Sequence, residues 1–157
     1  MWVNIWTGFI TPWILGLWLL KKDKKLIFSI VPFVCIIATL VCLWGDYKKF
    51  WVVKPKLKNG QFLTTMPFNF GFYPILSVLM IYLIKKTEGR KSLWIVIIFS
   101  FLTTFAEFCG VLFKKVKYYN DWNIIKTFFS YLVPYYFVYI YYLWINRQNK
   151  KVLNQLV

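Results

Sequence analysis

The chain has 157 residues, 60% of them hydrophobic and 23% aromatic, with 20 Lys+Arg, 5 Asp+Glu and no histidine; its mean hydropathy is +0.57. A soluble domain is typically about a quarter charged, whereas this chain is 16% charged, and its charges stand in short clusters between uncharged runs. Runs of about twenty such residues match the bilayer, which excludes a soluble globular domain and a disordered basic tail.

Five runs are expected to cross the membrane: residues 2–20, 26–45, 62–84, 93–113 and 124–145. At about 1.5 Å per residue each covers about 30 Å, the depth of the hydrocarbon core. In lipid a backbone must satisfy its own hydrogen bonds, so these runs become helices. Barrel strands would alternate polar and apolar residues, and Ile95-Val96-Ile97-Ile98-Phe99 does not. The expected fold class is all-α: one polytopic transmembrane bundle of five helices with short basic loops, spanning residues 1–157 as a single domain.

The first run reads as a retained helix. A secretory leader carries its basic residues ahead of the apolar stretch, whereas Lys21, Lys22, Lys24 and Lys25 follow it. The side holding residues 21–25, 85–92 and the C-terminal tail carries 11 Lys/Arg, against 9 on the other. By the positive-inside rule the N-terminus is outside and the C-terminus cytoplasmic. Trp2, Trp6, Trp44, Trp51, Trp94, Trp122 and Trp144 lie near helix ends, as interfacial anchors do. The net charge of +15 is divided between both faces of the bilayer, so the expected partners are anionic lipid headgroups and not nucleic acid.

Little in the chain suggests catalysis or a cofactor. The absence of histidine removes the commonest general base and metal ligand. Cys35, Cys42 and Cys109 form no CxxC pair, and no GxSxG elbow or phosphate-binding glycine loop is present. The expectation is therefore no metal, no cofactor and no enzymatic activity.

Glu107 stands out inside the fourth run, about 10 Å from its C-terminal end. An ionisable group in a membrane helix is costly and marks a site by default. Residues of similar depth form the candidate polar cluster: Asn69, Thr103, Glu107, Lys126, Ser130 and Tyr131, with Lys126 snorkelling toward the carboxylate. The plainer meaning is a hydrogen-bond network that fixes helix packing; the sharper one is an ion, proton or substrate site.

The third run contains Thr64-Thr65-Met66-Pro67-Phe68-Asn69-Phe70-Gly71-Phe72-Tyr73-Pro74. A kink, or a helix starting near Pro67 with Thr65 as its cap, is the simple expectation. A discontinuous segment lining an ion site is the alternative. In the fifth run Tyr131, Tyr135, Tyr139 and Tyr142 share one face. That face either packs between helices or, through Tyr135, Tyr139 and Tyr142, lines a pocket for an apolar ligand. In the loop at 46–61, residues 50–53 are apolar between lysines and are expected to lie along the headgroups or to dock a protein partner.

Asp46 with Phe50-Trp51, then Gly71-Phe72-Tyr73-Pro74, Glu107, and Tyr118-Tyr119 ahead of Trp122-Asn123 resemble a family of small integral membrane proteins of spore-forming Gram-positive bacteria, the bacilli and clostridia. The resemblance covers most of the chain after the first run. It implies a helical membrane fold in a bacterial plasma membrane, names no reaction, and marks Asp46, Phe50, Trp51, Gly71, Tyr73, Pro74, Tyr119, Trp122 and Asn123 as positions to test. The expected role is a non-catalytic binding or accessory component with a protein partner or as a homo-oligomer. The alternative is a small oligomeric transporter or channel using Glu107 as a proton- or cation-sensitive site.

Overall fold

The structure is a computed structural model describing residues 1–55, 62–87 and 91–155, the side chains of 149–155 excepted. The expected loop residues 56–61 and 88–90 and the side chains of the tail lysines Lys150 and Lys151 lie outside what is described. Five helices are long and apolar enough to cross a membrane: α1 (Trp2–Lys22), α2 (Lys24–Tyr47), α3 (Phe62–Lys86), α4 (Ser92–Leu112) and α5 (Ile124–Gln155). They form the expected bundle. Helix α2 begins where Asp23 Oδ1 accepts the Leu26 N–H at 3.1 Å, an N-cap bond. Helix α5 runs to Gln155 instead of 145, since neither proline nor glycine follows Trp144 to break it.

Helix α3 is the centre of the bundle and touches every other helix. Half of its most apolar stretch is buried, against at most 28% for any other helix. Ile75, Val78, Ile81 and Ile84 pack there against Ile27, Ile30 and Val34 of α2, Leu19 of α1, Val96 and Phe99 of α4, and Val138 of α5. The outward faces carry exposed Phe28, Trp94, Phe101, Phe105 and similar side chains, which suits contact with lipid chains.

Helices α1 and α3 each widen into a π-helical turn, at Trp6–Ile10 and Phe68–Phe72. Prolines explain both. Pro12 and Pro74 lack the N–H that Gly8 and Phe70 would bond in an α-helix, and a π turn is a common local adjustment. The Phe70 carbonyl instead accepts the Trp13 indole N–H from α1 at 3.1 Å. The two turns cross at their glycines: the Gly8 carbonyl oxygen occupies the space a Cβ on Gly71 would need, and a Cβ on Gly8 would come 3.0 Å from Phe68 N. Helix α3 is thus continuous through Pro67. Thr65 does not cap a later start, because its hydroxyl donates back to the Phe62 carbonyl at 3.1 Å within the helix.

The bundle carries one element that an all-α reading did not contain. Strands β1 (Trp51–Val53) and β2 (Val116–Tyr118) pair antiparallel, with Trp51 opposite Tyr118 and Val53 opposite Val116. Both strands are launched by the same helix ending. Phe50 N–H bonds the Gly45 carbonyl and Lys115 N–H the Gly110 carbonyl, while Lys49 (φ 54°) and Lys114 (φ 56°) take the left-handed position of a Schellman cap. Two identical turns at one end of the bundle bring the connecting segments side by side, and their backbone groups pair. Residues 50–53 therefore turn back onto the protein and pair with its own backbone.

Candidate functional site

Beneath the two strands lies a cavity of about 470 Å³ with walls from all five helices. Most of the lining is apolar, from Val34 and Ile37 on α2 to Val138 on α5, with Trp51, Val53 and Val116 contributed by the strands. Glu107 of α4 stands on its wall.

The carboxylate is held by hydroxyls. Tyr118 OH donates to Glu107 Oε1 at 2.7 Å, Thr127 Oγ1 lies 3.5 Å from the same oxygen, and Tyr131 OH donates to Oε2. Beyond these, Tyr131 and Tyr73 share a hydroxyl contact at 3.1 Å. Thr127 lies 3.1 Å from Tyr118 OH and accepts the Trp122 indole N–H at 2.9 Å. The chain Tyr73–Tyr131–Glu107–Tyr118–Thr127–Trp122 thus joins α3, α5, α4, β2 and the turn before α5. Local geometry builds it: Thr127 and Tyr131 are four apart on one face of α5, and the cap after α4 folds β2 back over Glu107. Burial, with the Glu107 carboxylate beside it, pushes the Tyr118 phenol well above its ordinary value, so Tyr118 remains a donor.

The expected cluster is divided by this arrangement. Tyr131 bonds Glu107 directly. Asn69, Thr103 and Ser130 share the cavity wall with it. Thr103 Oγ1 lies 2.7 Å from Tyr135 OH, and Ser130 donates to the Thr127 carbonyl at 2.8 Å. Lys126 does not join. It is exposed and its ammonium donates to the Asp121 carbonyl at 2.8 Å. The next residue, Thr127, occupies the inward phase, and about 100° of helical rotation carries Lys126 outward. Among the described residues the one ion pair is Lys85, in the last turn of α3, with Asp23, between α1 and α2, at 2.6 Å and away from the cavity.

Asn69 Nδ2 is buried without a hydrogen-bond partner of ordinary geometry, although the Cys42 thiol, a weak acceptor, lies near enough to interact with it. Asn4 and Thr127 escaped the sequence reading altogether, and Tyr73 and Tyr118 appeared there only in the family-like motifs, not in the Glu107 network. Asn4 Nδ2 donates to the Lys54 carbonyl at 3.0 Å and the Thr64 carbonyl at 3.2 Å, fastening α1 to the chain on both sides of residues 56–61. An amide in an otherwise apolar run was the available signal.

The tyrosine face of α5 splits as well. Tyr135 reaches the cavity, while Tyr142 is buried in the core and Tyr139 is half-buried against it, neither lining the cavity. Of the positions marked by the family resemblance, Asp46, Phe50, Trp51, Tyr119, Trp122 and Asn123 gather at the strand end, while Gly71, Tyr73 and Pro74 lie within α3. Phe50, Trp51 and Trp122 cluster with Trp44, which meets all three rings edge-on, the centroids of the stacked Phe50–Trp122 pair lying 4.5 Å and of Trp51–Trp122 5.0 Å apart. Gly45 makes room for the Trp51 ring. Asp46 is half-buried in the last turn of α2, Gly71 sits at the helix crossing, Pro74 follows the π turn, and Asn123 Oδ1 accepts the Lys126 N–H at 3.0 Å. Tyr119 is exposed, since alternation along the strand sends Tyr118 inward and its neighbour out. Trp2, Trp6 and Trp94 remain exposed near helix ends, and Trp144 is exposed too although α5 continues past it to Gln155; Trp44, Trp51 and Trp122 join the aromatic cluster instead.

Among the described residues no group of three His, Cys, Asp or Glu could hold a metal ion. Fold and site together define a polytopic, five-helix membrane protein with a cavity inside the bundle. No family model, curated protein or solved structure matches the chain.

Proposed function

We propose that this protein is a non-catalytic binding or accessory component of a bacterial plasma membrane, and that its bundle holds an amphiphilic molecule. The observation that carries the reading is the cavity of about 470 Å³ with apolar walls and a few convergent polar groups, a size and make-up typical of small-molecule sites. Glu107 has three hydroxyls beside it and no second carboxylate bonded to it among the described residues, which favours binding over acid–base chemistry. The lysine count supports an outer N-terminus and a cytoplasmic C-terminus, and favours anionic headgroups around the loops. The resemblance of residues 46–123 to membrane proteins of bacilli and clostridia supports the cell type. Native mass spectrometry of the chain released from lipid nanodiscs is expected to retain a bound amphiphile, and Ala38→Trp, which fills the cavity from α2, to release it. Wild-type protein that carries nothing overturns the reading.

A small oligomeric transporter is the second reading, favoured by the placement of a carboxylate on the cavity wall. It predicts flux in proteoliposomes that Glu107→Gln abolishes; a wild type without flux of any common ion or solute rejects it.

A further inference from the structure

The cavity is asymmetric in what its polar groups lack. Glu107 receives the Tyr118 and Tyr131 hydroxyls, with Thr127 Oγ1 farther off at 3.5 Å, all neutral groups, and no ammonium or guanidinium among the described residues is paired with it. Neutral donors solvate a carboxylate without cancelling its charge, and an ionised carboxylate accepts about four hydrogen bonds, so capacity remains on Oε2. Lys115 lines the rim but is itself exposed, where water screens its charge. Asn69 has the opposite need. Its Nδ2 is, among the described residues, the one buried side-chain nitrogen or oxygen with no hydrogen-bond partner of ordinary geometry, although the weakly accepting Cys42 thiol lies near enough to interact with it, and it lies on the same wall. A buried amide donor left unbonded is rare and calls for an acceptor. The walls also include the aromatic side chains of Phe68, Phe72 and Tyr73, a residue type whose rings attract cations. Val34, Ile37 and Val138 supply apolar surface for a hydrocarbon chain.

We infer that the cavity binds an amphiphile whose head carries an ammonium group beside an oxygen acceptor, an amino alcohol on an alkyl chain, with Glu107 taking the ammonium and Asn69 the oxygen. This rests on the binding reading above and names the ligand class for that site. The carboxylate supplies charge complementarity, the amide selects the adjoining oxygen, and the apolar walls hold the chain.

The test uses the full chain in phosphatidylcholine nanodiscs at neutral pH, with protein-free nanodiscs as the baseline for partitioning. Three probes are titrated: octanol, octylamine and N-octylethanolamine. The expected order in the wild type is octylamine at least tenfold tighter than octanol, and N-octylethanolamine severalfold tighter again. Glu107→Gln is expected to shrink the octylamine advantage over octanol below twofold. Asn69→Leu is expected to remove only the extra gain of N-octylethanolamine. If octanol and octylamine bind the wild type equally, the ammonium assignment is wrong while the binding reading stands. If no probe binds above the baseline, both fall. Should Glu107→Gln not fold, the wild-type ranking and Asn69→Leu still decide: loss of either step in the order overturns the corresponding contact.

Discussion

The Tyr118 hydroxyl lies 2.7 Å from Glu107 Oε1, so a strand at the end of the bundle is tied to a carboxylate on a membrane helix. Removing that hydroxyl leaves the carboxylate short of a charge-assisted bond. Hydrogen bonds inside membrane proteins contribute about 0.6–2 kcal/mol. Tyr118→Phe is therefore expected to destabilise the fold by about 1–2 kcal/mol in reversible detergent unfolding. The exposed neighbour is the control: Tyr119→Phe is expected to change stability by less than about 0.5 kcal/mol. Equal effects would mean that the Tyr118–Glu107 bond contributes nothing.

The crossing of α1 and α3 depends on the absence of a side chain at Gly71, where the Gly8 carbonyl takes the place of a Cβ. Gly71→Ala must push two backbones apart, and overpacking of this kind costs about 1–3 kcal/mol. Trp13→Phe removes the indole donor to the Phe70 carbonyl and is expected to cost about 1 kcal/mol. Thermal melts of the two variants in one detergent give the comparison; Gly71→Ala melting at the wild-type temperature would refute the close contact.

Lys49 and Lys114 hold left-handed cap positions that glycine fills without a steric penalty. Lys114→Gly is expected to raise stability by about 0.5–1 kcal/mol, because an L side chain there costs about that much or more. A stabilised variant with unchanged helix content by circular dichroism is the expected result, and a destabilised one would place a needed interaction on the Lys114 side chain.

Asp23 carries two roles at once, capping α2 and pairing with Lys85. Burial pushes its carboxyl up, but the Lys85 ammonium and the Leu26 N–H outweigh that and hold it below its ordinary value. A depressed carboxyl stabilises the fold above its unfolded pKa, about 4, and that contribution disappears as pH falls through the folded value. Asp23→Asn keeps the cap and loses the charge, so it is expected to cost less than about 1 kcal/mol at neutral pH and nothing in acid. Asp23→Ala loses both and is expected to stay about 1 kcal/mol less stable than Asp23→Asn at every pH. Unfolding curves at pH 7 and pH 3 separate the two.

Orientation is decided by a single-cysteine experiment. In a background with Cys35, Cys42 and Cys109 replaced by serine, an impermeant maleimide applied to whole cells is expected to label Lys117→Cys and to leave Lys24→Cys unlabelled until the cells are opened. The reverse pattern would invert the assigned topology.

The five helices were legible because lipid imposes one rule on every span: no charge, about twenty residues, backbone bonds closed within the segment. Glu107 was legible for the same reason, as the one carboxylate inside such a run. Its partners were not. Tyr118 and Thr127 reach it only because the chain folds β2 back over α4 and because α5 turns one residue further than a depth count allows for, which also sends Lys126 outward. The strand pairing and the crossing of α1 with α3 depend on groups from segments distant in the sequence, Trp51 with Tyr118 through their backbones and the Trp13 indole with the Phe70 carbonyl, and no local pattern records such pairings. Composition and periodicity determined where the chain meets lipid, since that is a property of each segment alone. Which polar groups meet inside, and that they enclose a cavity, only the tertiary structure decided, because helix rotation and strand pairing are set by how the segments pack against one another.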